Sequence, residues 1–203
     1  VSARGTVAVF GSSRLGPDDP EYAAAVRLGR LLGEAGWTVA TGGHDGAMAA
    51  VSRGARGAGA HVIGVTLPGA DGRRLPNEWV AEERPAASLF ARLEMLIDAD
   101  AWVAVAGGVG TLAEIAVAWN LMQNAHVPSR PLIVVGERWR SVLDVLRAEL
   151  VVDQDDLAMV KVAPDADATV ALLGEWSDRP HSPGSGGGER LAGQRPRSRP
   201  YVR

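Results

Sequence analysis

Residues Ala106-Gly107-Gly108-Val109-Gly110-Thr111-Leu112-Ala113-Glu114 join two kinds of chemistry within nine positions. Glycines let backbone N–H groups approach an anion with no Cβ in the way. A helix N-terminus adds unpaired N–H donors and the positive end of a dipole. Here Gly107, Gly108, Val109 and Gly110 lead into a helical pattern, and Thr111 adds a hydroxyl. That combination predicts an anion cradle, with a phosphate as its natural guest. No lysine follows the glycines, which excludes a Walker-type loop and with it triphosphate chemistry of that kind. Glu114 has two readings. Thr111 and Glu114 have the spacing of a capping box, in which each side chain serves the other's backbone N–H. A carboxylate beside a phosphate site is also where acid–base or charge-stabilising chemistry would place it. Local sequence leaves the two open.

Other residues could join this site. Ser12 and Ser13 follow an apolar run and can donate to a ligand or cap a turn. Gly42 and Gly43 open a second glycine-dense loop that also holds His44 and Asp45. A lone loop histidine reads as an ordinary polar residue. Arg92 lies on a helix one element before the Gly107 loop, where an arginine is either solvated or functional. The four histidines lack metal-ligand spacing and there is no cysteine, so no metal site is expected. Lys161 is the one lysine and is remote in sequence from every glycine loop, which argues against Schiff-base chemistry. Gly108, Gly110 and Ala113 match the G-x-G-x-x-G/A dinucleotide spacing, and Glu137 follows the next strand. That fingerprint normally sits in the first strand–helix turn, and here it sits in the fourth.

The elements that must position these residues alternate. Apolar runs at TVAVF, WTVAT, HVIGVT, the stretch from Ala101, PLIVV and AMVKVA read as six strands. Helical patterns lie between them. The first has Asp19 as N-cap, Pro20 at its first position and Gly36 past its end. A small-residue helix covers 46–58. Another covers 86–99, with Leu89, Leu93, Leu96 and Ile97 on one face. The stretch 67–85, with Arg73, Arg74 and Trp79, reads as an irregular Pro-rich loop. Strand–helix alternation predicts an α/β fold: a doubly wound, Rossmann-like parallel sheet with helices on both faces. Ligands then bind beyond the C-terminal strand ends, where the glycine loops fall.

Composition limits the partners. The 203 residues are 46% hydrophobic and suit one domain, expected over 1–176. The formal charge is −3, but residues 177–203 hold six arginines against Asp178 and Glu189. The rest of the chain therefore carries fifteen basic and twenty-two acidic residues, a net of −7. An acidic body argues against a nucleic-acid surface. The Gly/Pro/Arg-rich tail has little to bury and is expected to be disordered. No apolar run reaches membrane-spanning length and no charged-then-apolar leader opens the chain. A soluble, cytoplasmic protein with no membrane contact is expected.

The motifs taken together resemble a known family. The stretches VAVFGSSRLG, TGGHDGAMAAVSRGARGAGAHVIGV and FARLEMLIDADAWVAVAGGVGTLAE are similar to the LOG family of cytokinin-activating phosphoribohydrolases and their bacterial relatives. The resemblance runs over residues 6–176. The family signature P-G-G-x-G-T-x-x-E falls on Ala106 through Glu114, with Ala106 in place of proline. Its Arg-Lys pair is Arg92-Leu93 here, and its G-G-G-x-x-G-L-M-G loop runs from Thr41 to Ala49. The resemblance implies that Arg92 and Glu114 are the catalytic pair, and that the glycine loop with Thr111 holds a nucleotide 5′-phosphate. It also implies a homodimer. The expected reaction is hydrolysis of the N-glycosidic bond of a nucleoside 5′-monophosphate, with no metal or organic cofactor. Two alternatives stand beside it: a non-catalytic nucleotide or molybdenum-cofactor carrier, and a nicotinamide oxidoreductase.

Overall fold

The structure is a computed structural model that describes residues 4–68 and 75–177. Arg73, Arg74 and the tail from 178 onward lie outside the described residues. Seven parallel strands form one sheet in the order β4-β3-β2-β1-β5-β6-β7. They are β1 (Thr6–Phe10), β2 (Thr38–Thr41), β3 (Val62–Thr66), β4 (Glu82–Pro85), β5 (Ala101–Ala104), β6 (Leu132–Val135) and β7 (Val160–Ala163). Among the described residues seven helices connect or follow them: α1 (Pro20–Glu34), α2 (Ala47–Gly57), α3 (Leu89–Ile97), α4 (Val109–Gln123), α5 (Glu137–Glu149), α6 (Gln154–Ala158) and α7 (Ala166–Ser177). This is the expected doubly wound, Rossmann-like α/β fold.

Strand periodicity of two explains the two cores. Val7 and Val9 of β1 point into one apolar cluster with Leu28 and Leu32 of α1, Val51 of α2 and Leu173 of α7. Ala8 and Phe10 of the same strand point into the other, with Leu96 of α3, Ile115 and Trp119 of α4, and Trp139 of α5. Because both faces are covered, the central strands read as continuous apolar runs.

Chain order in the sheet creates the site. The chain lays down β1 to β4 outward in one direction, then returns to place β5 against the free side of β1, pairing Val9 with Val103 and Phe10 with Ala104. The connections leaving β1 and β5 therefore diverge, and a crevice opens beyond their C-terminal ends. The residues at that crevice are the Ser12 loop and the Gly107 loop. The two loops are tied, since the Ser12 N–H donates to the Ala106 carbonyl at 3.0 Å.

Three local expectations are corrected. The stretch 67–85 is not wholly irregular: Glu82–Pro85 pairs in parallel with β3, placing Ile63 opposite Glu82 and Thr66 opposite Pro85. This edge strand is charged because most of its side chains face water, a usual protection for an exposed edge. Asp19 occupies the N-cap position of α1, but its carboxylate accepts from the Gly16 N–H at 2.6 Å rather than from the helix. The third correction concerns Thr111 and bears on the site itself.

Candidate active site

Helix α4 starts at Val109 with Gly108 as its N-cap, three residues earlier than a capping box at Thr111 requires. Thr111 is therefore inside the first turn and Glu114 is inside the helix. Among the described residues no side chain caps this N-terminus. The capping explanation of Glu114 fails, and the N–H groups at the start of α4 keep the open end that an anion site needs. Gly107, Gly108, Val109 and Gly110 are all exposed there, Val109 to 84%. Thr111 is buried beneath them, and a Cβ on Gly107 would collide with the Thr111 side chain. Glycine at 107 is thus a requirement of close approach.

The loops enclose a cavity of about 830 Å³. It is lined by Ser12, Ser13 and Arg14 from the β1 end, Gly42 and His44 from the β2 loop, Met48 from the start of α2, and Leu67 and Pro68 after β3. Arg92, Glu114 and all five residues from Gly107 to Thr111 complete it. Every sequence-predicted site residue except one lines this cavity. Gly43 does not: its N–H donates to the Thr41 hydroxyl at 3.1 Å and its carbonyl accepts from the Asn77 N–H at 2.7 Å, so it shapes the loop from behind.

Arg92 and Glu114 meet from opposite sides of the crevice. Helix α3 is capped by Ser88, whose hydroxyl accepts from the Ala91 N–H at 3.1 Å, and Arg92 stands in its first turns. The Arg92 Nε donates to the Val65 carbonyl of β3 at 2.8 Å, which fixes the direction of the guanidinium. Its Nη1 lies 3.6 Å from the Glu114 Oε1, and each side chain is 12% exposed. Gly42 makes room for this, because a Cβ there would strike the Arg92 guanidinium. Burial pushes the Glu114 carboxyl up to about 7 from the ordinary 4.5, the Arg92 charge opposing the rise only in part. A carboxyl that titrates near neutrality, in a cleft, beside an open helix N-terminus is suited to exchange a proton with a bound molecule.

Sequence reasoning missed His44. Read as a polar loop residue, it is 5% exposed and faces the same cavity. Its signal was its place inside a glycine loop at a strand's C-terminal end. The dinucleotide reading loses its third position, since Ala113 is exposed on α4 rather than packed where helix and strand approach. Lys161 is exposed on β7, outside the cavity lining. Among the described residues no group of three or more His, Asp or Glu is placed to hold a metal ion, and no helix is long and apolar enough to cross a membrane.

A family model for the SLOG cluster4 family matches residues 4–143. The chain belongs to the SLOG cluster4 family. Relatives agree with the resemblance drawn from the motifs. The SLOG chain is 34% identical over 181 residues to a probable cytokinin riboside 5′-monophosphate phosphoribohydrolase of Oryza sativa subsp. japonica, covering 86% of this chain and 74% of that one. A second protein of that organism, the cytokinin riboside 5′-monophosphate phosphoribohydrolase LOG, is 32% identical over 193 residues, covering 87% and 80%. In fold, the SLOG chain is similar to the molybdenum cofactor binding protein of Rippkaea orientalis, with a TM-score of 0.69 at 22% identity, over 87% of this chain and 99% of that one. The Ala106 departure from the LOG signature leaves the loop contact to Ser12 intact, because that bond uses a carbonyl that proline also has.

Proposed function

We propose that this chain hydrolyses the N-glycosidic bond of a nucleoside 5′-monophosphate, AMP or an N6-modified relative, to the free base and ribose 5-phosphate. The observation that carries the reading is the Glu114 carboxyl, raised to about 7 and 3.6 Å from Arg92, in one cavity with the uncapped N-terminus of α4. The relatives' names support the same substrate class.

The backbone N–H groups of Gly107, Gly108, Val109 and Gly110 hold the 5′-phosphate, with hydroxyls from Thr111, Ser12 and Ser13 as further donors. Gly42 leaves room for the Arg92 guanidinium, and Gly43 shapes the loop from behind. Breaking the C1′–N bond leaves positive charge on the ribose ring, which ionised Glu114 stabilises across a short, poorly solvated gap. Glu114 takes a proton from water as the water oxygen bonds to C1′ and the C1′–N electron pair leaves with the base. That proton then passes to the base nitrogen. A carboxyl near pH 7 suits both acceptance and return. Arg92 positions Glu114, limits the rise of its pKa and offers N–H donors to substrate oxygens. As the resemblance implies, the working unit is proposed to be a homodimer.

The test is a panel of nucleoside 5′-monophosphates assayed for ribose 5-phosphate. The expected rate rises with pH through about 7, because the base form of Glu114 is required. Glu114→Gln should lower turnover on the order of 10²-fold or more. A folded Glu114→Gln variant with the wild-type rate would defeat the assignment. No product from any nucleotide, with a measurable Kd for one, would replace the enzyme by a non-catalytic nucleotide or molybdenum-cofactor carrier; the similar fold of the Rippkaea orientalis protein is that of a molybdenum cofactor binding protein.

A further inference from the structure

We infer that the phosphate cradle serves a second cavity on its far side, and that this cavity holds a sugar joined through a diphosphate to the nucleotide in the first. The ligand class is a nucleoside 5′-diphosphate whose terminal phosphate is esterified to a sugar. The inference rests on the nucleotide reading above and extends the ligand class of the same site. Its first support is continuity. A second cavity of about 470 Å³ opens beyond the ends of β5 and β6. That is within the roughly 300–1,000 Å³ of small-molecule sites. Gly107, Gly108 and Val109 line both cavities, so the cradle is a ridge between them and not the closed end of one. Sheet order sets the span. Ser12 follows β1 and Glu137 follows β6, with β5 between those strands. Two strand spacings separate them, roughly 10 Å. A diphosphate linker covers such a distance between two sugar rings.

The second support is the unit β5–α4–β6. Strand β6 pairs in parallel with β5, Ala104 opposite Val134, so the cradle and Glu137 follow neighbouring strands of one βαβ unit. In such units the glycine turn holds phosphate, and an acidic residue after the second strand accepts from ribose hydroxyls. Glu137 has that place and lines the second cavity. Exposure of Ala113 removes the close helix–strand packing of the dinucleotide pattern but neither of these two parts. Gly136, at φ +97°, makes the turn that presents Glu137. The Glu137 carboxylate accepts from the Arg140 Nε at 3.0 and 3.2 Å. A carboxylate has about four acceptor sites, so sugar hydroxyls can still donate to it. The remaining lining suits a neutral ring. Leu112, Val135 and Val142 give apolar wall, and Arg138 is paired with Glu21 at 3.1 Å. The third support is Ala106, which lines the second cavity and not the first. The family signature has proline there, whose ring adds two carbons at that wall. The departure therefore widens the second cavity and spares the first.

The consequence is a gain in affinity that belongs to the second sugar alone. The experiment titrates the full chain carrying Glu114→Gln, which stops turnover, with AMP, ADP and ADP-ribose. ADP has the diphosphate without the second sugar. ADP-ribose should bind about tenfold or more tighter than ADP. The titrations are repeated with Glu137→Ala or Ala106→Pro added, and thermal unfolding midpoints are taken for each. Glu137→Ala removes the acceptor and should cancel most of the advantage of ADP-ribose, leaving AMP and ADP as before. Ala106→Pro restores the family residue, narrows the second cavity and should have the same selective effect, and it decides the matter if the Glu137 variant does not fold. Equal affinity for ADP and ADP-ribose, equal weakening of all three ligands, or an advantage that survives both substitutions overturns the second sugar site alone. A chain that binds none of the three overturns the nucleotide reading and this inference with it.

Discussion

At the scale of single residues, the Glu114 carboxyl links function to stability. Its folded pKa lies above the ordinary value, so the unfolded chain gives up this proton first as pH rises. Between pH 4.5 and about 7 the folded state binds more protons at this site than the unfolded state, and stability falls with rising pH across that window. A rise from 4.5 to about 7 corresponds to a cost on the order of 3 kcal/mol above pH 7. Glu114→Gln removes the ionisation. Its stability relative to wild type should therefore increase by about that amount between pH 4.5 and pH 8, measured by urea unfolding at each pH. A constant difference across the range would contradict the burial argument. Gly42 makes a second prediction at this scale. Gly42→Ala places a methyl group where the Arg92 guanidinium lies. The arginine must then leave its bond to the Val65 carbonyl or its approach to Glu114. Turnover should drop toward that of Arg92→Ala, with the two substitutions combined giving little further loss, as for residues acting in one unit. Additive losses would separate Gly42 from Arg92.

Elements decide which of these residues meet, and here the sequence was legible in part. The strands that became β1, β2, β3, β5, β6 and β7 announce themselves as apolar runs because both their faces are covered. Glu82–Pro85 gives no such signal: it is charged and ends in proline, and its strand character comes from pairing with β3. The anion cradle was legible because glycine density and a helix start are local properties. The role of Glu114 was not. Thr111 and Glu114 imitate a capping box, and the reading depends on a helix boundary that shifts by three residues when Val109 and Gly110 turn helical. His44 was hidden for a related reason, since burial of a loop residue follows from the partners that fold over it, here Asn77 from beyond β3. The elements also carry a prediction of their own. Ser88 caps α3, and Arg92 stands close to that end. Ser88→Ala should lower stability by about 1 kcal/mol. Fraying at this end should also reduce kcat, whereas Asp153→Ala, which removes the cap of α6 away from the cavity, should affect stability only. Equal kcat for wild type and Ser88→Ala would show that the Val65 bond alone holds Arg92.

At the scale of the whole molecule, the two helices that carry Arg92 and Glu114 also form an apolar surface on their outer side. Leu89 is 51% exposed and Phe90 82% exposed on α3, where large apolar residues are otherwise expected to be covered. The adjoining groove is lined by Leu93, Met95, Val117, Leu121 and Val127. Its rim carries both signs of charge, Glu94 and Asp98 against Arg130. In the proposed homodimer the apolar centres of this patch are expected to meet across a two-fold axis. This is the face on which the proposed homodimer is expected to form, and it would brace α3 and α4 from behind the site. Light scattering after gel filtration should then give twice the 21.2 kDa chain mass. Phe90→Asp places a charge at the patch centre and should shift the mass to one chain. Val151→Asp, on the exposed turn beyond α5, alters a different apolar groove and should leave the dimer intact. A wild-type monomer would remove the dimer from the proposal. A dimer broken by Val151→Asp and not by Phe90→Asp would move the contact to the α4–α5 face, and Arg92 and Glu114 would then owe their placement to the fold of a single chain.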